Sequence, residues 1–391
     1  MFMNKHSKFL WYLLPFLPLF ISVHESRAQA IEEPVRHGVL YSSEGRFAGW
    51  PANHGIWVWE NEILVGFVEA EHMDRSGHTY NAETARNKYG RSFDGGETWT
   101  LSDAYDLGQT GRGYDNAIAI DKAETPRVLA RPMGDFSQPG FLFTLLRHDN
   151  SFGPSHFYHS GNKGHQWHGP YILPNLQTDG IASRTDYLID GPQEMSLFFT
   201  AAKSNKREGR IGLMRTFNGG IDWQWVSWIG SEPEGFDIMS SSIRLSETEI
   251  LTIIRSRTAE RHDYLSAYST ADNGTTWERL RNPVEDTGQG GSPPALLKMA
   301  DGRLALAYIY RSEYGSRVNL RFSNDEGRSW SPEIVVRCSD GATRDAGYPR
   351  MVQRADGKLV IVYYWNHARK KGALPYRYIA TTIVDTSEWL Q

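Results

Sequence analysis

Apolar residues in this chain fall into short alternating runs, separated by clusters rich in Gly, Asp, Asn and Ser. Glu62–Val68, Ser196–Ala201, Ile250–Ile254, Leu304–Tyr310 and Lys358–Tyr364 are the clearest of them. Their length and their β-branched and aromatic content predict strands. Asp-Gly pairs at Asp301-Gly302 and Asp356-Gly357 predict tight turns between antiparallel neighbours. No stretch sustains apolar residues at three- and four-residue spacing, so no long helix is expected.

One run differs. Phe9 to Val23 is uncharged and mostly apolar over about 15 residues, follows the basic Lys5, His6 and Lys8, and precedes Ala28-Gln29-Ala30. A basic start, an apolar middle and a small-x-small site are the parts of an export signal. The competing reading is a membrane anchor, but a spanning helix needs roughly 20 apolar residues. No second such run follows. The expectation is a signal over residues 1–30, one domain over residues 31–391, no membrane span after cleavage, and a periplasmic or secreted location.

Between the strands lies a repeat. Ser92-Phe93-Asp94-Gly95-Gly96-Glu97-Thr98-Trp99 has the form S-x-D-x-G-x-T-W. Thr270 to Trp277 and Ser323 to Trp330 match it nearly as well, and Ser160 to Trp167 and Thr216 to Trp223 are degenerate copies. Successive tryptophans, Trp99, Trp167, Trp223, Trp277 and Trp330, are 68, 56, 54 and 53 residues apart, the size of one four-stranded propeller blade. Within each copy the Asp or Asn accepts from backbone N–H groups of its own turn, Gly takes a positive φ, and Trp covers the turn.

This turn is similar to the Asp-box, and its five copies resemble the sialidase superfamily over essentially the whole mature chain. The resemblance implies an all-β, six-bladed propeller with four-stranded antiparallel blades. Five copies plus a strand set at about 340–391 account for six blades, with the segment near Arg36–Tyr41 pairing with the last blade to close the ring. The boxes themselves sit at the blade periphery and carry no chemistry.

Composition narrows the partners. A net charge of −4 argues against nucleic acid, and an aromatic fraction of 13% suits a sugar-handling surface. Cys338 is the sole cysteine, so no internal disulfide forms and the core must hold the fold alone, which a chain of this length can do. A glycan is the expected partner. No cofactor is expected, and nothing sets the oligomeric state.

The resemblance also implies a site. Sialidases attack a sugar that carries a carboxylate on its anomeric carbon, and they use a Tyr nucleophile in place of a carboxylate. Asp345-Ala346-Gly347-Tyr348-Pro349-Arg350, followed by Asp356-Gly357-Lys358-Leu359, is similar to the family stretch around that Tyr, which makes Tyr348 the nucleophile. The family Glu that ends the stretch is replaced by Tyr364-Trp365. Arg317, in Ser316-Arg317-Val318-Asn319-Leu320, resembles the third substrate-gripping Arg, and Arg255, at the end of Ile250–Ile254, the second. Arg257 competes with Arg255 for that role. Asp237 stands about where the Glu that deprotonates the Tyr should be, one methylene shorter.

The first family Arg lies two residues before a Pro, where this chain has Gly49-Trp50-Pro51, so Arg46 is the displaced candidate. Trp50, Trp57 and His54 are candidates to stack on or hydrogen-bond a sugar in its place. Glu71 stands where a further family Arg is expected. The general acid falls in the loop after Glu71, where Asp74 and His78 are both candidates, and Glu83 is a third acid in the loop. His54, His72, Asp74 and His78 lack metal-ligand spacing, so no metal is expected.

These roles describe a retaining exo-glycosidase for a terminal acidic or deoxy sugar. Two readings compete with it. One is a propeller lyase on uronic-acid glycans using His54, His78 and Tyr348, and the other is a propeller that binds glycan without turnover.

Overall fold

The structure is a computed structural model that describes residues 1, 34–75, 77–103, 125–147, 151–338, 340–367, 376–387 and 389. Every strand falls in the unit Pro34–Gln391. The expected signal, residues 1–30, lies outside the described residues apart from Met1. Among the described residues the only helices are single 3-10 turns at Pro51–Asn53 and Ala82–Thr84, and no helix is long and apolar enough to cross a membrane.

Six antiparallel sheets follow one another along the chain. Blade 1 is built from Arg46–Gly49 with Ile56–Trp59, then Glu62–Glu71, Arg86–Ser92 and Thr100–Asp103. Blade 2 shows three strands, Leu142–Arg147, Ser155–Ser160 and His168–Leu173, and residues 104–124 before it lie outside the described residues. Blade 3 is Tyr187–Gly191, Glu194–Ala202, Glu208–Thr216 and Gln224–Trp228. Blade 4 is Phe236–Arg244, Ile250–Arg257, Asp263–Thr270 and Glu278–Val284. Blade 5 is Ala295–Lys298, Leu304–Tyr310, Arg317–Ser323 and Ile334–Arg337. Blade 6 is Gly347–Gln353, Leu359–His367 and Tyr376–Val384, completed by Val35–Tyr41 from the other end of the chain.

That last pairing closes the ring. Val35 lies opposite Val384 and Gly38 opposite Thr381 in an antiparallel ladder, as expected for the segment near Arg36–Tyr41. The first strands face the axis, where Thr185 to Ile189, Ser241, Ser242, Ala295, Leu296, Arg350 and Met351 enclose a channel of about 350 Å³ with Gly55 to Trp57.

Burial explains the strand sequences better than simple alternation does. Leu359, Ile361 and Tyr363 pack against Ala305, Ala307 and Val318 of blade 5. Their neighbours Val360, Val362 and Tyr364 pack against Val65 and Phe67 of blade 1. Successive side chains point to opposite faces of a strand, and in a propeller both faces meet a neighbouring blade. The runs are therefore apolar at nearly every position rather than at every second one. Each of the six blade-to-blade seams has its own core.

In blades 1 to 5 the repeat turn joins the last two strands of the blade. In the first copy, Ser92 Oγ accepts from Gly96 N at 2.8 Å and Asp94 Oδ1 from Thr98 N at 2.9 Å. Asp272 repeats the pattern, and its hydrogen bonds from Thr276 pull its carboxyl down to about 2. The shared glycine has φ of 93° at Gly96 and 83° at Gly274, where a side chain is strained.

Candidate active site

Three of the axial strands are interrupted at one place in the core. The ladder of blade 4 slips between Ile238 and Ser240, and that of blade 6 between Gly347 and Arg350. The residues in the slips, Met239 and Tyr348, have φ of 55° and 56°. Trp50, which splits the inner strand of blade 1, has φ of 63°. A left-handed conformation costs a non-glycine residue about 1–2 kcal/mol. Such strain gathers at functional sites, and bulges re-aim side chains. All three side chains belong to one buried cluster.

Tyr348 is the centre of this arrangement and is 6% exposed. Arg255 Nη1 donates to its hydroxyl at 3.3 Å. The guanidiniums of Arg255 and Arg311 lie 5.8 and 5.5 Å from its ring centroid. Burial alone would raise the phenol, but Arg255 and Arg311, with lesser help from Arg184 and His78, pull it down to about 8. Arg255 also touches Met239 Sδ at 3.7 Å and donates to the Gly290 carbonyl.

A second network supports the first. Arg311 Nε donates to the Ala346 carbonyl at 2.6 Å, and its Nη2 to the Tyr364 hydroxyl at 2.9 Å. Tyr364 in turn donates to Asp345 Oδ1 at 2.7 Å. Asp345 also holds His78 Nδ1 at 2.7 Å and Arg377 Nε at 2.9 Å. Burial pushes this carboxyl up, but His78 and Arg377 hold it well below the usual carboxylate range. The Trp50 ring packs edge-on against His78 at 5.0 Å. His78, Asp345 and Arg311 face a cleft of about 570 Å³ that Asp263 also lines, itself gripped by Arg257 at 2.7 and 3.1 Å. Among the described residues no three His, Cys, Asp or Glu side chains group as metal ligands do.

Of the residues singled out from the sequence, Tyr348, Arg255 and His78 come together here. The others sit differently. Asp237 lies opposite Ser256 in the ladder while Arg255 lies opposite Ile238, so Asp237 and Arg255 point to opposite faces of blade 4. Asp237 is buried toward Ser256, Arg279 and Tyr268, and it is not placed to take the Tyr348 proton. Arg317 stacks on Tyr310 at 4.5 Å, approaches Glu333 at 3.9 Å and lines a separate cavity, so Arg311 takes the place beside Tyr348 expected of it. Arg46 is held by Glu69 and lies 3.8 Å from Glu71. Asp74 is exposed and paired with His72 at 2.9 Å.

Trp50 and His54 need correcting as sugar contacts. Trp50 has no exposed surface on which a sugar could stack. His54 is 1% exposed, and burial pulls its imidazole down to about 3, which keeps it neutral in the core. Sequence reasoning missed Arg311, Asp345 and Tyr364. One signal was present for Arg311. It follows the apolar run Leu304–Tyr310 as Arg255 follows Ile250–Ile254, Arg255 late in the second strand of its blade and Arg311 directly after that of its own.

Comparison with known proteins agrees with this architecture. A protein of unknown function from Dyadobacter fermentans superposes with a TM-score of 0.66 at 18% identity, over 90% of this chain and 98% of that one. The Hadza microbial sialidase Hz136 gives 0.55 at 13%, over 86% of this chain and 65% of its own. The α-L-arabinofuranosidase Arb93A of Fusarium graminearum gives 0.53 at 13%, over 90% and 100%. At these identities the likeness is one of fold. No curated protein sequence matches significantly. The BNR repeat-like domain profile matches residues 141–361, more than half of the chain. The chain belongs to the BNR repeat-like domain family.

Proposed function

We propose that the protein is an exported glycoside hydrolase that removes an acidic sugar from a glycan, with Tyr348 as nucleophile. The observation that carries this reading is the Tyr348 hydroxyl held at 3.3 Å by Arg255, beside Arg311, with its acidity raised to a pKa of about 8. A phenol of that acidity is about one-tenth ionised at pH 7, roughly a hundredfold more than an ordinary tyrosine. Two guanidiniums thus stabilise the phenolate, and its proton passes to solvent rather than to a carboxylate base. The phenolate oxygen bonds to the anomeric carbon as the glycosidic C–O bond breaks. His78, hydrogen-bonded to Asp345 at 2.7 Å, gives its proton to the leaving oxygen. Water, deprotonated by the same imidazole, then releases the sugar with retained configuration. Arg255 and Arg311 also offer the substrate's anionic group their donors. The basic, apolar and small-x-small parts of residues 1–30 support export, which would bring the enzyme to extracellular glycans.

One observation favours a second reading. Among the described residues no carboxylate hydrogen-bonds the Tyr348 hydroxyl, and Tyr, His and Arg together are the set needed for β-elimination from a uronic acid. The two reactions leave different products. A panel of acidic glycans incubated with the protein and read by mass spectrometry decides between them. Hydrolysis adds one water per bond cleaved and leaves no ultraviolet chromophore. Elimination adds none and creates an absorbing C=C bond. Turnover with added water that disappears in Tyr348→Phe is the outcome expected. Elimination, or turnover unchanged in Tyr348→Phe, overturns the proposal, as does binding without turnover.

A further inference from the structure

We infer that a second site, for the outlying anionic groups of an acidic glycan chain, lies between blades 4 and 5. A cavity of about 460 Å³ opens there, and it shares Tyr310 and Asp286 with the cleft that His78, Asp345 and Arg311 face. These two shared residues set the cavities side by side, so a ligand chain longer than one sugar can reach from one to the other. The inference rests on the reading that the inner cleft takes an acidic sugar, and it extends the ligand from one sugar to a chain.

The lining of the outer cavity carries a small excess of positive charge, four arginines against Glu285, Asp286 and Glu333. Arg281, Arg317, Arg321 and Arg328 all line it, in a chain whose net charge is −4. The carboxylates beside them are already engaged. Glu333 accepts the Tyr308 hydroxyl, Asp286 Oδ1 accepts Gly288 N at 2.7 Å, and Glu285 Oε2 accepts Asn282 Nδ2 at 2.7 Å. The arginines are far less satisfied. Among the described residues the side chains of Arg281 and Arg328 have no hydrogen-bond or ion-pair partner, and the buried Nε atoms of Arg317 and Arg321 have no acceptor, although Arg317 approaches Glu333 at 3.9 Å and Arg321 Nη1 donates to the Ser331 carbonyl at 3.2 Å.

An isolated exposed arginine is only a solvated charge. Four around one cavity are different, because guanidinium forks match planar carboxylates and sulfates in two-point contacts. Trp330 and the half-buried Tyr310 add aromatic surface for the sugar rings between those groups. A chain whose terminal sugar meets Tyr348 passes over Tyr310 and lays its next anionic groups on these arginines. Arg317, which resembles a catalytic arginine in sequence, has a role here instead.

The test is affinity electrophoresis of Tyr348→Phe, which cannot consume the polymer, through gels containing polygalacturonate, heparin or neutral dextran. Retardation by at least one of the two polyanions and not by dextran is expected, and which polyanion acts distinguishes carboxylate from sulfate. Adding Arg281→Ala with Arg328→Ala, both exposed, should weaken that retardation about tenfold or more. Removing the same charge elsewhere, with Lys206→Ala and Arg207→Ala, should leave it intact. No retardation by either polyanion, equal retardation by dextran, or equal loss in the two double variants overturns the inference. If binding depends on Arg281 and Arg328 but no acidic glycan is turned over, the groove stands and the Tyr348 reading falls. Tyr348-dependent turnover without groove binding overturns the groove and leaves the Tyr348 reading in place.

Discussion

Arg255 and Tyr348 lie 93 positions apart and in different blades, yet a guanidinium N–H of one donates to the hydroxyl of the other across 3.3 Å. Both groups are buried, and each depends on the other. The cation makes the phenol acidic, while burial alone lowers the arginine and the phenol's charge raises it. This mutual dependence is what distinguishes Tyr348 from a core tyrosine. Burial pushes Tyr364, beside it in the core, and Tyr363, on the opposite face of the same strand, above the ordinary range instead.

The first consequence is a pH profile. If the phenolate reacts, kcat/KM should climb as pH rises toward about 8 and lose that limb below it. In Arg255→Gln the limb should move to higher pH, because burial then acts with less opposition. Arg255→Lys should restore part of the shift. An unmoved limb in Arg255→Gln would show that another group sets it.

Asp237→Asn should leave kcat within about threefold of the wild type. The side chain lies on the face of blade 4 opposite Arg255. A loss of several orders of magnitude would mean that this carboxylate reaches the Tyr348 proton after all.

Asp345→Asn should be costly in a different way. It removes the negative charge between His78 and the 4%-exposed Arg377, and breaking such a buried pair costs about 3–5 kcal/mol. The folded carboxyl titrates well below its unfolded value, so its stabilisation is complete above about pH 4 and fades as pH falls toward the folded pKa. Denaturant titrations at pH 7 and pH 3 should therefore show a smaller gap between wild type and variant at pH 3. A gap independent of pH would contradict this assignment.

Ordinary α-sialosides should be poor substrates. Their carboxylate sits on the reacting carbon and needs several converging arginines, but Arg46 is engaged by Glu69 and Glu71 and Gly49 stands where the first arginine is expected. Each missing charge-assisted contact is worth roughly 1.5–3 kcal/mol, or ten- to a hundredfold in binding. Release of sialic acid from α2,3- and α2,6-sialyllactose checks this. Rapid release that Arg46→Ala abolishes would show that Arg46 completes the grip.

The ring was legible in the sequence because its signal is local. Every bond of the repeat turn, such as Ser92 to Gly96 and Asp94 to Thr98, closes within a few residues. The site is not local. Its groups come from blades 1, 4, 5 and 6, and which face a side chain takes depends on single-residue slips such as those at Met239 and Tyr348. A resemblance in motif therefore led to Tyr348 and Arg255 but put Arg317 where Arg311 stands and gave Asp237 the wrong face. The His78–Asp345 pair joins residues 267 positions apart, beyond the reach of any spacing argument.

The most direct test of Tyr348 activation needs no substrate. Tyrosinate absorbance of wild type and Tyr348→Phe is followed from pH 6 to pH 10, and the two curves are subtracted. The expected difference is one tyrosinate with its midpoint near pH 8, shifted upward when the same subtraction is made in an Arg255→Gln background. Curves that coincide until the ordinary tyrosine range, near pH 10, would show that Arg255 and Arg311 do not activate Tyr348.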